Sequence, residues 1–152
     1  MPSIDDIIQS AKDKCASAGV RLTDKRQKIL QLMLQSEVPL SPYEVVDHYN
    51  EEFAAKMPAN SAYRILDFLV SENLAHKLAS ANKYVACSHI SCSHQHEVPQ
   101  FLICHDCNRV KEIMIDRTLV DKISNSVAAA GYHMRSSAIE LDCLCDACAN
   151  AG

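Results

Sequence analysis

NSAYRILDFLVSENLAHKLASANKYVAC, residues 60–87, changes its hydrophobic period halfway along. From Asn60 to Glu72 the apolar residues Ala62, Ile65, Leu66 and Leu69 recur at three- and four-residue intervals, which predicts a helix with those four turned inward and Asn60, Ser61, Arg64 and Asp67 turned outward. LAHKL (74–78) and KYVAC (83–87) then read as two short strands joined by the tight loop ASAN. A helix with a short polar outer face running into a β-hairpin is the closing half of a winged helix-turn-helix, whose recognition helix enters the major groove of DNA. A small helical domain that binds a protein, or nothing, is the other reading this pattern allows.

The preceding sequence supplies the helices such a domain needs. Ile4, Ile7, Ile8, Ala11, Cys15 and Ala18 stand at helical intervals, Ser3 and Asp6 are spaced as a capping box, and Gly19 sits where that helix would stop. Thr23 can cap a second helix with Ile29, Leu30, Leu32 and Met33 on its apolar side. Ser41-Pro42-Tyr43-Glu44 combines cap, first-turn proline and acid at the third position, and so starts a third helix through Val45 and Val46.

Beyond Cys87 the chain changes character. CSHISCSHQHEVPQ (87–100) has three histidines and two cysteines and almost no apolar periodicity, as in a connector. FLIC and VKEIMI read as strands on either side of a CHDC turn, LVDKISNSVAAAG as a helix ended by Gly131, and YHMRSSAIELDCLC as a returning strand. The expected fold class is α+β: an N-terminal winged helix-turn-helix domain (1–84), a metal-binding connector (85–100) and a small α/β domain (101–152).

Cys104 and Cys107 of CHDC and Cys145 and Cys148 of CDAC form two Cys-x-x-Cys pairs separated by 37 residues. Four thiolates at this spacing can close a tetrahedron around one zinc ion and staple a domain. Disulfides or inert cysteines are the bland alternative, and a reducing compartment disfavours the first. A second set of donors lies where the two halves meet: His76, Cys87, His89, Cys92, His94, His96 and Glu112. One sulfur, two imidazoles and a carboxylate from this set would complete another tetrahedral site. Ligands drawn from both domains would make it a switch. His48, His105 and His133 read as solvated side chains.

Composition bounds the rest. The 152 residues are 48% hydrophobic with three glycines and five prolines, as in a folded chain, and the net charge of −4 is spread over both halves. Neither half is basic, but Arg21, Lys25, Arg26 and Lys28 form a local excess opposed only by Asp24, enough for phosphate contacts. No secretory signal and no stretch of membrane-spanning length are visible, so a cytoplasmic protein is expected. G-x-S-x-G, Walker, G-x-G-x-x-G and H-E-x-x-H motifs are absent, which leaves hydrolytic, phosphoryl-transfer and nicotinamide chemistry without their defining residues. No enzyme and no small-molecule substrate are expected; a zinc or thiol enzyme is the rival class.

RLTDKRQKIL, SPYEVVDHY, NSAYRILDFLVSENLAHK, FLICHDCNRVKE and IELDCLCDAC, in this order from about Val20 to Cys148, resemble the ferric uptake regulator (Fur) family of bacterial metal-dependent repressors. The resemblance implies a DNA-binding winged-helix domain, a C-terminal dimerisation domain and metal-dependent binding of a homodimer to palindromic operator DNA. It places the structural zinc on Cys104, Cys107, Cys145 and Cys148. It places the regulatory metal on His76, Cys87, His96 and Glu112, with His94 as the alternative to His96. DNA contacts fall on Tyr43, Ser61, Tyr63 and Arg64, and on Arg26, which matches a basic position of the second helix. Ser136 and Ser137 stand where iron sensors of the family carry a late histidine, and the Cys87 thiolate favours zinc. The chain therefore looks most like the zinc-sensing branch, with two zinc ions per chain and zinc-uptake genes as targets; iron or peroxide sensing is the alternative. Lys25 replaces the glutamine usual in the family, Ser61 replaces threonine, and Cys92 and Cys143 match no family role.

Overall fold

A computed structural model describes residues 2–91, 98–135 and 138–151. The chain divides into two compact units, Met1–Ser93 and His94–Gly152.

Cap chemistry sets the helices of the first unit. α1 (Ile4–Ser17) starts at the expected box: the Asp6 amide donates to the Ser3 hydroxyl at 3.1 Å, and the Ser3 amide donates to the Asp6 carboxylate at 3.0 Å. It ends as expected at Gly19, whose φ of 76° lets the Val20 amide reach back to the Cys15 carbonyl at 2.9 Å. α2 (Asp24–Gln35) starts at Thr23, and α3 (Pro42–Phe53) at the Ser41/Glu44 box with Pro42 in its first turn. α4 (Ala59–Ser71) begins and ends one residue earlier than the sequence predicts. Asn73 takes the left-handed C′ position at φ 60°, and the Leu74 amide closes the turn on the Leu69 carbonyl at 2.8 Å.

β1 (Ala75–Leu78) and β2 (Lys83–Ala86) form the expected hairpin, with His76 opposite Val85 and Lys77 opposite Tyr84. Asn82, at φ 46°, makes the tight return possible. Leu40 adds an isolated bridge to Tyr84, exchanging backbone hydrogen bonds at 3.0 and 2.8 Å. Ile29, Leu30, Val45, Ala62, Leu66, Leu69 and Tyr84 are buried in one cluster, so the inward positions of α2 and α4 read from the sequence hold, with Ile65 half-buried at the margin. The unit is a winged helix-turn-helix.

The second unit is a three-stranded sheet in the order β4-β3-β5. β3 (Pro99–Cys104) pairs antiparallel with β4 (Val110–Met114) across the CHDC turn, and parallel with β5 (Ile139–Cys143). Parallel neighbours require a crossover, which α5 (Arg117–Ala129) provides. Two readings are corrected here. α5 starts two residues earlier than Leu119 because the Asp116 carboxylate accepts from the Thr118 amide at 3.2 Å. The returning strand is confined to Ile139–Cys143, since β3 offers partners only from Gln100 to Cys104, and Tyr132 instead closes the α5 turn on the Val127 carbonyl at 3.1 Å. The CDAC pair opens a short helix, α6 (Asp146–Ala151), to which the sequence reading assigns no element. The fold class is α+β.

Candidate functional site

The sheet of the second unit carries Cys104 and Cys107 to one end through the turn between β3 and β4, and β5 delivers Cys145 and Cys148 to the same end. Asn108, left-handed at φ 64°, turns the chain after Cys107 so that β4 can pair back, and the Asn108 amide donates to the Cys104 carbonyl at 3.0 Å. The four sulfurs lie within 4.8 Å of one another, with Cys104 buried and the others half-buried. Zinc–sulfur bonds of about 2.3 Å in a tetrahedron set sulfurs roughly 3.8 Å apart; those of Cys107 and Cys145 are separated by 3.8 Å. None of the seven described cysteines forms a disulfide. The donor set fits a closed four-thiolate zinc site.

Electrostatics point the same way. Amides of Cys107 and Cys145 aimed at the Cys104 sulfur, the latter at 3.4 Å, bring its pKa down to about 6. Hydrogen bonding to Cys145 and Cys104 pushes Cys148 up to about 12. Four thiols sharing their protons resist a fourfold negative charge by themselves, and a dication at their centre removes that resistance.

Of the second expected set, His76 lies half-buried on β1 and Cys87 is buried just after β2. The hairpin register brings a ring nitrogen of His76 and the Cys87 sulfur within 4.8 Å. The Cys87 amide donates to the Leu74 carbonyl at 3.0 Å, which pins the residue to the strand edge. Glu112 is half-buried on β4, opposite Phe101. His94, His96 and Cys92 lie outside the described residues. The Nε2 atom of His89, two residues after Cys87, is buried as well.

The outer face of α4 is as polar as its sequence implies: Asn60, Arg64 and Asp67 are exposed, and Ser61 and Tyr63 are half-buried. Tyr43, 65% exposed at the start of α3, stands edge-on to Tyr63 with ring centroids 6.5 Å apart. Tyr43, Tyr63 and Arg64 thus line a polar and aromatic surface contributed by two helices. Arg26 is differently occupied. Its guanidinium lies 3.7 Å over the Phe68 ring, and one nitrogen donates to the Arg21 carbonyl at 2.8 Å. Residues 26 and 68 are too far apart in the chain for periodicity to reveal this contact.

The model of the ferric uptake regulator family matches residues 17–142. The zinc uptake regulation protein of Escherichia coli (strain K12) is 37% identical over 145 residues, covering 94% of this chain and 81% of that protein. Among solved structures, a zinc uptake regulator complexed with zinc and DNA superposes with a TM-score of 0.85 at 29% identity, over 99% of this chain and 98% of that one. Holo XcZur superposes at 0.80 with 32% identity, over 97% and 99%. Shared sequence along most of the chain, a shared fold and a fitting four-cysteine centre lead to one conclusion: this chain belongs to the ferric uptake regulator family.

Proposed function

We propose that this protein is a zinc-responsive transcriptional repressor that binds operator DNA as a homodimer in the cytoplasm and represses zinc-uptake genes. The observation that carries the reading is the identity, along nearly the whole chain, to a protein named for zinc uptake regulation. Two ions per chain are proposed, one held by Cys104, Cys107, Cys145 and Cys148, the other by His76, Cys87, His96 and Glu112. Four protein ligands would hold zinc at each site and would leave no position for a catalytic water, so no catalysed reaction is assigned. The chain would be organised as a DNA-binding domain (1–84), a connector (85–100) and a dimerisation domain (101–152).

In this reading Cys104, Cys107, Cys145 and Cys148 hold the ends of the small sheet together, and His76 and Cys87 present paired donors on the wing. Arg64 addresses base edges, with Tyr43, Ser61 and Tyr63 beside it on the same surface. Homodimerisation is supported by the second unit, where no residue of the amphipathic α5 is buried. Leu119 and Ile123, one turn apart, are 52% and 41% exposed. A unit of about 60 residues with so thin a core needs a staple, a partner, or both.

The test is a mobility shift on promoter fragments of zinc-uptake genes, with zinc and with chelator, alongside metal analysis of protein purified without added metal. A zinc-dependent shift and about two zinc ions per chain are expected. A shift indifferent to chelator, or iron in the second site, overturns the zinc-sensing reading.

A further inference from the structure

Four cations crowd the entry to α2, but they are not equivalent. Lys28 is 3.0 Å from Asp24 and lies 4.9 Å over the Phe53 ring. Arg26 is stacked on Phe68 and tied to the Arg21 carbonyl. Lys25 and the Arg21 side chain are exposed, and among the described residues neither has a side-chain partner.

We infer that Arg26 is a positioning residue that braces the recognition helix α4 against α2 and the 18–23 linker, and that Lys25 and Arg21 make the phosphate contacts at this end of the domain. The inference rests on the DNA-binding reading above. Three observations carry it. Arg26 is half-buried and its guanidinium lies close to the ring face, a geometry that uses its flat, delocalised charge rather than a point charge. Phe68 follows Arg64 by one helical turn, so the ring that Arg26 covers is adjacent to the side chain proposed to read bases. Arg26 also acts, together with Glu72 at the C-cap of α4, on the buried Cys15 thiol of α1; burial raises that thiol's pKa, Glu72 raises it further, and Arg26 opposes them. α4 and the 18–23 linker therefore meet on one guanidinium carried by α2. Reaching a phosphate would mean withdrawing it from both.

A phosphate contact and a brace respond oppositely to conservative substitution. Operator and random duplex are titrated over a salt gradient with the zinc-loaded, full-length wild type and the variants Arg26→Lys, Phe68→Leu, the double variant and Lys25→Ala. Arg26→Lys keeps the charge and loses the plane; it is expected to weaken operator binding on the order of 10-fold with random-duplex affinity and salt slope unchanged. Phe68→Leu should behave alike, and the double variant no worse than either single one. Lys25→Ala should weaken both duplexes and lower the log–log salt slope by about 0.9. Arg26→Lys with wild-type selectivity, or additive losses in the double variant, overturns the inference. Amide exchange of α4 in the DNA-free protein is an independent arm: Arg26→Lys and Phe68→Leu should both accelerate it, and unchanged exchange overturns the brace. A wild type that binds neither duplex removes the DNA-binding reading instead, leaving the exchange arm to decide the brace.

Discussion

Among the described residues, four that are not glycine occupy left-handed backbone, and three of them are asparagines: Asn73 after α4, Asn82 in the wing turn and Asn108 after the CHDC cysteines. Asparagine tolerates this conformation, whereas the Cβ of alanine meets the following carbonyl at a cost of about 1–2 kcal/mol. The fourth residue, Ala54, ends α3 at φ 47°. Ala54→Gly should therefore stabilise the first unit by about 0.5–1 kcal/mol after the extra flexibility of unfolded glycine is counted, read as a higher urea midpoint at unchanged slope. Glu44 gives a pH-dependent counterpart. The Ser41 amide, then its hydroxyl and the Lys83 ammonium at 3.4 Å, hold its carboxyl below the usual carboxylate range against a smaller opposing effect of burial. A depressed folded pKa contributes stability that is present above the unfolded pKa and lost as pH falls through the folded one. Because the side chain is 44% exposed, the contribution is small. Glu44→Gln should lower stability slightly at neutral pH and flatten its decline in the acid carboxylate range, as thermal unfolding against pH would register. Arg64→Ala should cost about 1–3 kcal/mol of operator discrimination, checked by competition between operator and random duplex; equal loss on both would take α4 out of the major groove.

At the scale of elements, cap chemistry was readable because it is local: Ser3, Thr23, Ser41 and Gly19 each act within a few residues of themselves. Asp116 follows the same rule but was masked by the strand pattern of VKEIMI running up to it. α6 is not legible in the sequence because six residues carry too little periodicity to distinguish a helical turn from a loop. The tetrad depends on these elements jointly, since the β3–β4 turn and the β5–α6 junction must meet for four sulfurs to converge. Cys104→Ser or Cys148→Ser should forfeit much of a zinc contribution worth about 10–16 kcal/mol in small zinc-dependent peptides at neutral pH. Loss of the bound zinc together with unfolding of the second unit by circular dichroism is the expected result. A variant that melts like wild type would remove these cysteines from the structural site.

For the whole molecule, the proposed regulatory ligands make folding and metal response separable. Cys87→Ser and His76→Ala should leave a folded dimer that keeps its four-cysteine zinc, while operator affinity becomes indifferent to zinc or chelator; Glu112→Ala should act more weakly, since water can replace a carboxylate in the zinc shell. Zinc titrations of operator affinity for wild type and Cys87→Ser decide the matter, and superimposable zinc-dependent curves would return Cys87 to the role of a strand cysteine. The sequence by itself determined what is written in short-range periods and spacings: the starts of α1, α2 and α3, the inward faces of α2 and α4, the wing hairpin, and the two Cys-x-x-Cys pairs, whose chemistry admits few alternatives. Only the tertiary structure decided which strand lies beside β3, that Leu40 bridges to Tyr84, and that Arg26 rests on Phe68. The reason is physical. Caps, periods and metal-ligand pairs are satisfied between residues a few positions apart, whereas strand order, isolated bridges and a cation on an aromatic face join residues distant in the chain, and local spacing leaves no trace of them.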